Sequence, residues 1–115
     1  MKTAFILHGF NGDTINTFGP SLKCFLESKG YTVFMPKFPI RTEATFDKWS
    51  NILDDYINYF NSETIVIAHS IGNPFFIRYF ANNKLKAKIY ISVAGFCDLF
   101  TVDGRDDLNN AFLDF

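Results

Sequence analysis

Ile65-Val66-Ile67-Ala68-His69-Ser70-Ile71-Gly72 is the stretch that decides the reading of this chain. Ile65 to Ala68 are apolar without interruption, the pattern of a strand covered on both faces; a half-exposed strand would alternate. The strand runs into a serine with Gly72 two residues on, and a helical pattern follows. Strand, serine turn and helix in that order match the Gly-x-Ser-x-Gly nucleophile elbow, with Ala68 in the first glycine position. Such a bend needs small residues because the strand and helix backbones approach closely around the serine. Ser70 is therefore the candidate nucleophile, and His69 and Gly72 support the turn. The simpler rival is that Ser70 only caps the following helix.

Three more short apolar runs flank this one. Together the expected strands are Thr3–Leu7 and residues 32–35, 64–68 and 88–93, each rich in Val, Ile or Phe. Helical patterns separate them. Pro20 suits a first helical position, Leu22, Phe25 and Leu26 share a face, and Gly30 ends the segment. Thr45 is placed to cap a second helix with Asp47 in its first turn. Its apolar stripe runs through Phe46, Trp49, Leu53, Tyr56, Ile57 and Phe60. The third helix starts just after Ser70, accepts Pro74 in its first turn, and carries Phe75, Phe76, Tyr79 and Phe80. Strand and helix alternation with short links predicts an α/β fold, a three-layer doubly wound parallel sheet of about four strands in the order 2-1-3-4. Residues 1–115 read as a single domain, and the link at 36–44, with two prolines, is placed to overhang a site.

Composition narrows the function. Apolar residues make up 48% and charged residues 20%, which suits a packed globular domain. A net charge of −1 supplies no field for nucleic acid or an anionic membrane, so neither is an expected partner. Fifteen phenylalanines imply an aromatic core or covered face. Cys24 and Cys97 read as buried free thiols, consistent with a reducing compartment. The apolar run at the amino terminus is too short for a secretory signal, and no segment has the ~20 apolar residues that cross a bilayer. A cytoplasmic location is expected.

A second motif closes the first strand, Leu7-His8-Gly9-Phe10-Asn11-Gly12. Acyl-transfer chemistry generates an oxyanion, which fixed backbone amides stabilise. One donor follows the nucleophile, here Ile71; the other comes from this loop, Phe10 with Asn11 as the alternative. His8 and Gly9 support the loop. Phosphate-binding glycine patterns are absent from the sequence, which leaves a nucleotide or flavodoxin-like site as a weak third reading. No cofactor or metal is expected. In a 2-1-3-4 sheet, strands one and three are neighbours and ligands bind at the switch point between them.

On these residues the chain resembles the amino-terminal portion of an α/β-hydrolase, in particular the small serine hydrolases related to retinoblastoma-binding protein 9. The features carrying the resemblance are His8-Gly9-Phe10, Gly30-Tyr31-Thr32-Val33, the Pro36 and Pro39 link, Trp49, His69-Ser70-Ile71-Gly72, and residues 93–96. The resemblance implies Ser70 as nucleophile, Phe10 and Ile71 as oxyanion donors, and a small-molecule acyl substrate such as an ester. In that family a catalytic acid and then a histidine follow the serine in chain order. No histidine follows Ser70 here. His69 points away from its neighbour at such a bend, and His8 is assigned to holding the oxyanion loop. Asp98 occupies a position where some members place their acid, but it reads more simply as a turn or cap residue, and Asp103, Asp106 and Asp107 as solvated.

Loss of a triad member removes several orders of magnitude in rate while an oxyanion hole retains some catalysis. The expectation is an incomplete hydrolase domain, inactive or nearly so, with a non-catalytic interaction domain on the same fold as the alternative. The strand at 88–93 is expected to be an uncovered apolar edge, promoting self-association there or through the tail at 111–115.

Overall fold

The computed structural model describes residues 1–12, 17–94 and 114–115. Its four strands are β1 (Thr3–Leu7), β2 (Thr32–Phe34), β3 (Ile65–His69) and β4 (Ile89–Val93). All pair in parallel in the order β2-β1-β3-β4, the expected arrangement. Leu7 of β1 lies beside Ala68 of β3, so both strands finish at the same level at the switch point.

Alternate residues feed the two faces of the sheet. Phe5, Leu7, Val66 and Ala68 join one buried cluster; Ala4, Ile6, Ile65 and Ile67 join the other. Every residue of β1 is buried, which explains its unbroken apolar run.

Helix α1 (Gly19–Ser28) lies on the second face with Leu26 buried and Leu22 partly so. The apolar face is narrower than expected: Phe25 is 56% exposed. One residue along a helix turns the side chain by 100°, so Phe25 and Leu26 do not point alike. The same rotation corrects the reading of Cys24: two residues before Leu26, it is a free thiol on the outward side and is exposed. Gly30, at φ +89°, lets the chain turn back into β2.

The other face carries α2 (Phe46–Asp54) and α3 (Gly72–Asn83). Thr45 caps α2 by accepting the Lys48 amide proton at 3.2 Å. The stripe expected to continue to Phe60 breaks at Asp54, and a short 3-10 turn covers Ile57–Tyr59. This break places Phe60 flat on Phe5, ring centroids 4.1 Å apart, with Tyr56 edge-on to the same ring. Farther along, Trp49 stacks on Phe38 at 4.6 Å and meets Phe75 edge-on. The abundance of phenylalanine thus fills one side of the sheet. Burying each such ring stabilises by roughly 2–3 kcal/mol before the entropy of ordering it is counted. Tyr79 ties α3 to α2 through a 2.7 Å hydrogen bond to Asp54.

Strand β4 is the thinly covered edge. Ile89, Tyr90 and Ile91 are 43%, 37% and 46% exposed. A groove of about 330 Å³ between β4 and α1 is lined by Leu22, Leu26, Ile91 and Val93. A second groove of about 470 Å³ on the opposite face is lined by Phe76, Phe80, Ile89 and Tyr90. The tail residues Asp114 and Phe115 pack within the chain: Asp114 accepts hydrogen bonds from the Phe46 amide and the Arg78 guanidinium, and the Phe115 ring lies 4.8 Å from Trp49. Cys97, Asp98, Asp103, Asp106, Asp107 and residues 111–113 lie outside the described residues. Among the described residues, no helix is long and apolar enough to cross a membrane.

Candidate active site

Ser70 stands at the bend between β3 and α3 with φ +54°, a left-handed conformation that costs a non-glycine residue about 1 kcal/mol or more. Its amide donates to the Val93 carbonyl at 2.9 Å, extending the β3–β4 ladder by one residue. Its carbonyl accepts the Asn73 amide proton at 3.0 Å, which closes the turn. Ile71, ahead of α3, makes no side-chain cap hydrogen bond.

The loop after β1 packs directly on this bend. A Cβ on Gly9 would stand 3.0 Å from Ser70 Cβ and 3.2 Å from His69 Nδ1, so only a glycine fits there without displacement. Gly72 lies against the His8 carbonyl on the same terms, and Ala68 is fully buried beside Leu7. The glycines at this junction, Gly9 and Gly72, therefore answer to contacts across the switch point.

His8 is buried and both its ring nitrogens are used. Nδ1 lies 2.7 Å from the Gly9 carbonyl, and Nε2 lies 2.9 Å from the Phe38 amide, which can only donate. Nε2 therefore carries the lone pair and Nδ1 the proton, a neutral imidazole. Burial pushes its pKa below the ordinary histidine value, with the Gly9 carbonyl opposing. This ring bridges the loop after β1 and the link at 36–44. Its second partner was not foreseen: the link at 36–44 clamps the loop from outside. Phe38 grips His8, the Arg41 amide donates to the Phe10 carbonyl at 3.1 Å, and Pro39 accepts from Trp49 at 2.7 Å. Within the loop, Gly12 at φ +71° donates back to the Gly9 carbonyl at 3.1 Å.

Phe10 is buried and Asn11 exposed. Neither the Phe10 nor the Ile71 amide donates a backbone hydrogen bond among the described residues. His69 is half-buried at the end of β3, edge-on to Phe18 at 5.8 Å. The structure thus gathers His8, Gly9, His69, Ser70 and Gly72 at one junction, flanked by Phe10 and Ile71. Sequence reasoning missed Asn73, a buried polar side chain in the first turn of α3. Its signal was a polar residue three positions before Phe76, on the face that α3 buries.

Comparison with known proteins agrees with this architecture. No protein-family model matches the chain. The Bacillus subtilis (strain 168) protein named "Putative hydrolase YdeN" is 26% identical over 116 aligned positions, covering 98% of this chain. The solved crystal structure of the ydeN gene product superimposes with a TM-score of 0.78 at 23% identity, covering 97% of this chain and 60% of that one. The chain spans 61% of the length of this relative. The likeness supports a hydrolase-like α/β fold.

Proposed function

We propose that this chain is a serine-hydrolase-type domain in which Ser70 takes an acyl group from an ester or a related acyl compound. The observation that carries the reading is the left-handed backbone of Ser70 at the β3–α3 bend, in contact with Gly9. Strain of this kind persists only where the surroundings enforce it, and it is concentrated at functional turns. The hydrolase-like relative and the resemblance to small serine hydrolases related to retinoblastoma-binding protein 9 support the same reading.

In the proposed step, Ser70 Oγ adds to the acyl carbonyl and the carbonyl oxygen takes up the electron pair. The Phe10 and Ile71 amides donate to that oxyanion. The tetrahedral adduct collapses to acyl-Ser70, releasing the alcohol with the proton from the hydroxyl. A general base would accelerate both this step and the attack of water that follows. His8 is unsuited to that role, since both its nitrogens are engaged in holding the loop. Without such a base, acylation is slow and turnover slower still.

The test is covalent. Incubation with a fluorophosphonate should add one phosphonyl group by intact mass, and Ser70→Ala should abolish it. Absence of the adduct in the parent chain, or its survival in Ser70→Ala, defeats the assignment. A second reading, a non-catalytic interaction domain on the same fold, is favoured by the exposed apolar residues of β4; it gains if no adduct forms.

A further inference from the structure

Asn73 is the polar side chain most completely committed to the elbow, and the proposed chemistry gives it no role. It is 1% exposed. Its Nδ2 donates to two carbonyls, that of Ala68 at 3.1 Å and that of Ser70 at 3.0 Å. Its backbone amide donates to the same Ser70 carbonyl at 3.0 Å. Its Oδ1 accepts the hydroxyl proton of Tyr90, the second residue of β4. Two carbonyl acceptors on one side and a hydroxyl donor on the other fix which end of the amide is which, and use both of its N–H groups.

The consequence runs through peptide geometry. The Ser70 carbonyl and the Ile71 N–H belong to one planar trans peptide and point in opposite directions. Whatever fixes that carbonyl fixes where the Ile71 amide is aimed. Asn73 holds it twice, while the Val93 carbonyl holds the amide on the other side of Ser70 at 2.9 Å. Both peptides that define the Ser70 backbone are therefore gripped, and the left-handed conformation has no freedom to relax. Tyr90, whose ring stacks on Phe76 at 5.7 Å, keeps the Asn73 amide from rotating away.

We infer that Asn73 is a positioning residue, secured by Tyr90, that holds the left-handed turn at Ser70 and aims the Ile71 amide into the oxyanion hole. The role in the oxyanion hole rests on the proposed function; the role in the turn does not. The sequence marks Asn73 only as a polar residue on a buried face; its partner Tyr90 lies on a strand that begins six residues after α3 ends.

The test compares Asn73→Ala, Asn73→Asp and Tyr90→Phe with the parent chain and Ser70→Ala. Two readouts are taken: fluorophosphonate labelling resolved into its maximal rate and its half-saturating concentration, and the 13Cα and 13Cβ shifts of Ser70, which report its backbone conformation. In labelling, the serine oxygen bonds to phosphorus as the P–F bond breaks, fluoride leaves, and the hydroxyl proton goes to solvent. Asn73→Ala should lower the maximal rate about tenfold or more, with the half-saturating concentration within about twofold; loss of a whole oxyanion donor typically costs more. Asn73→Asp keeps the volume but sets a carboxylate against two carbonyls, and should lose as much. Tyr90→Phe keeps the ring and should fall between. The Ser70 shifts should move away from left-handed values in the same order. Parental labelling rates in folded Asn73→Ala or Asn73→Asp would overturn the inference. If the parent chain takes no label, the proposed nucleophile fails and the shifts decide: retained left-handed values in Asn73→Ala overturn the positioning role, and their loss supports it. Should Asn73→Ala not fold, Tyr90→Phe decides by the same two readouts.

Discussion

The α-carbon of Gly72 packs so closely on His8 that a methyl group there would stand 2.9 Å from the His8 carbonyl oxygen. No real Cβ tolerates that separation from a backbone atom, so an added side chain must push α3 away from β1. Gly72→Ala is expected to destabilise the fold by about 1–3 kcal/mol, the usual cost of overpacking. A lower urea midpoint at unchanged slope would establish it. A midpoint equal to the parent's would mean the junction yields more easily than its geometry implies.

The backbone of Ser70 gives a prediction that inverts an ordinary ranking. Replacing glycine by alanine usually stabilises, because it restricts the unfolded chain. At φ +54° the order reverses, since alanine retains the steric penalty and glycine does not. Ser70→Gly should be more stable than Ser70→Ala by about 1 kcal/mol in chemical unfolding, while neither takes up the fluorophosphonate. Equal stability would show that Ser70 carries no strain.

His8 makes stability depend on pH. Its folded pKa lies below the ordinary value of 6.5, chiefly because burial disfavours the charged ring. At pH values between the folded and unfolded pKa, the unfolded chain binds the extra proton, so stability rises with pH there. The contribution is complete above about pH 6.5 and is lost as the pH falls through the depressed folded value. Unfolding midpoints measured downward from neutral pH should fall, and His8→Gln, less stable at neutral pH, should show a shallower slope in that window. A parent and variant with parallel pH profiles would rule His8 out as the source.

Much of this fold is legible in the sequence, because buried parallel strands leave continuous apolar runs and their order follows from alternation with helices. The β3–α3 bend is legible for a related reason: Gly72 must be small where α3 meets the His8 carbonyl. What escaped detection depends on contacts between distant segments. The outward positions of Phe25 and Cys24 follow from a rotation about α1 that apolar content alone does not fix. The break after Asp54 follows from Phe60 stacking on Phe5, a tertiary contact that overrides the helical stripe. The roles of Phe38 and Asn73 depend on His8 and Tyr90, partners 30 and 17 residues away.

The exposed edge of β4 carries the last prediction. Between Ile89 and Val93 there is neither proline nor a charged side chain, the devices that usually keep an edge strand from pairing. Two copies related by a two-fold axis, with β4 set antiparallel to β4, would continue the sheet across the pair. The apolar grooves beside the strand, on both faces, would then be covered in part by the partner's helices. Apparent mass by light scattering should therefore rise with protein concentration. Ile91→Lys, at a position already 46% exposed, should weaken that association about tenfold or more (~1.4 kcal/mol) without lowering the unfolding midpoint appreciably. A parent chain that stays monomeric at high concentration would show that β4 does not pair, and association undiminished in Ile91→Lys would place the contact elsewhere.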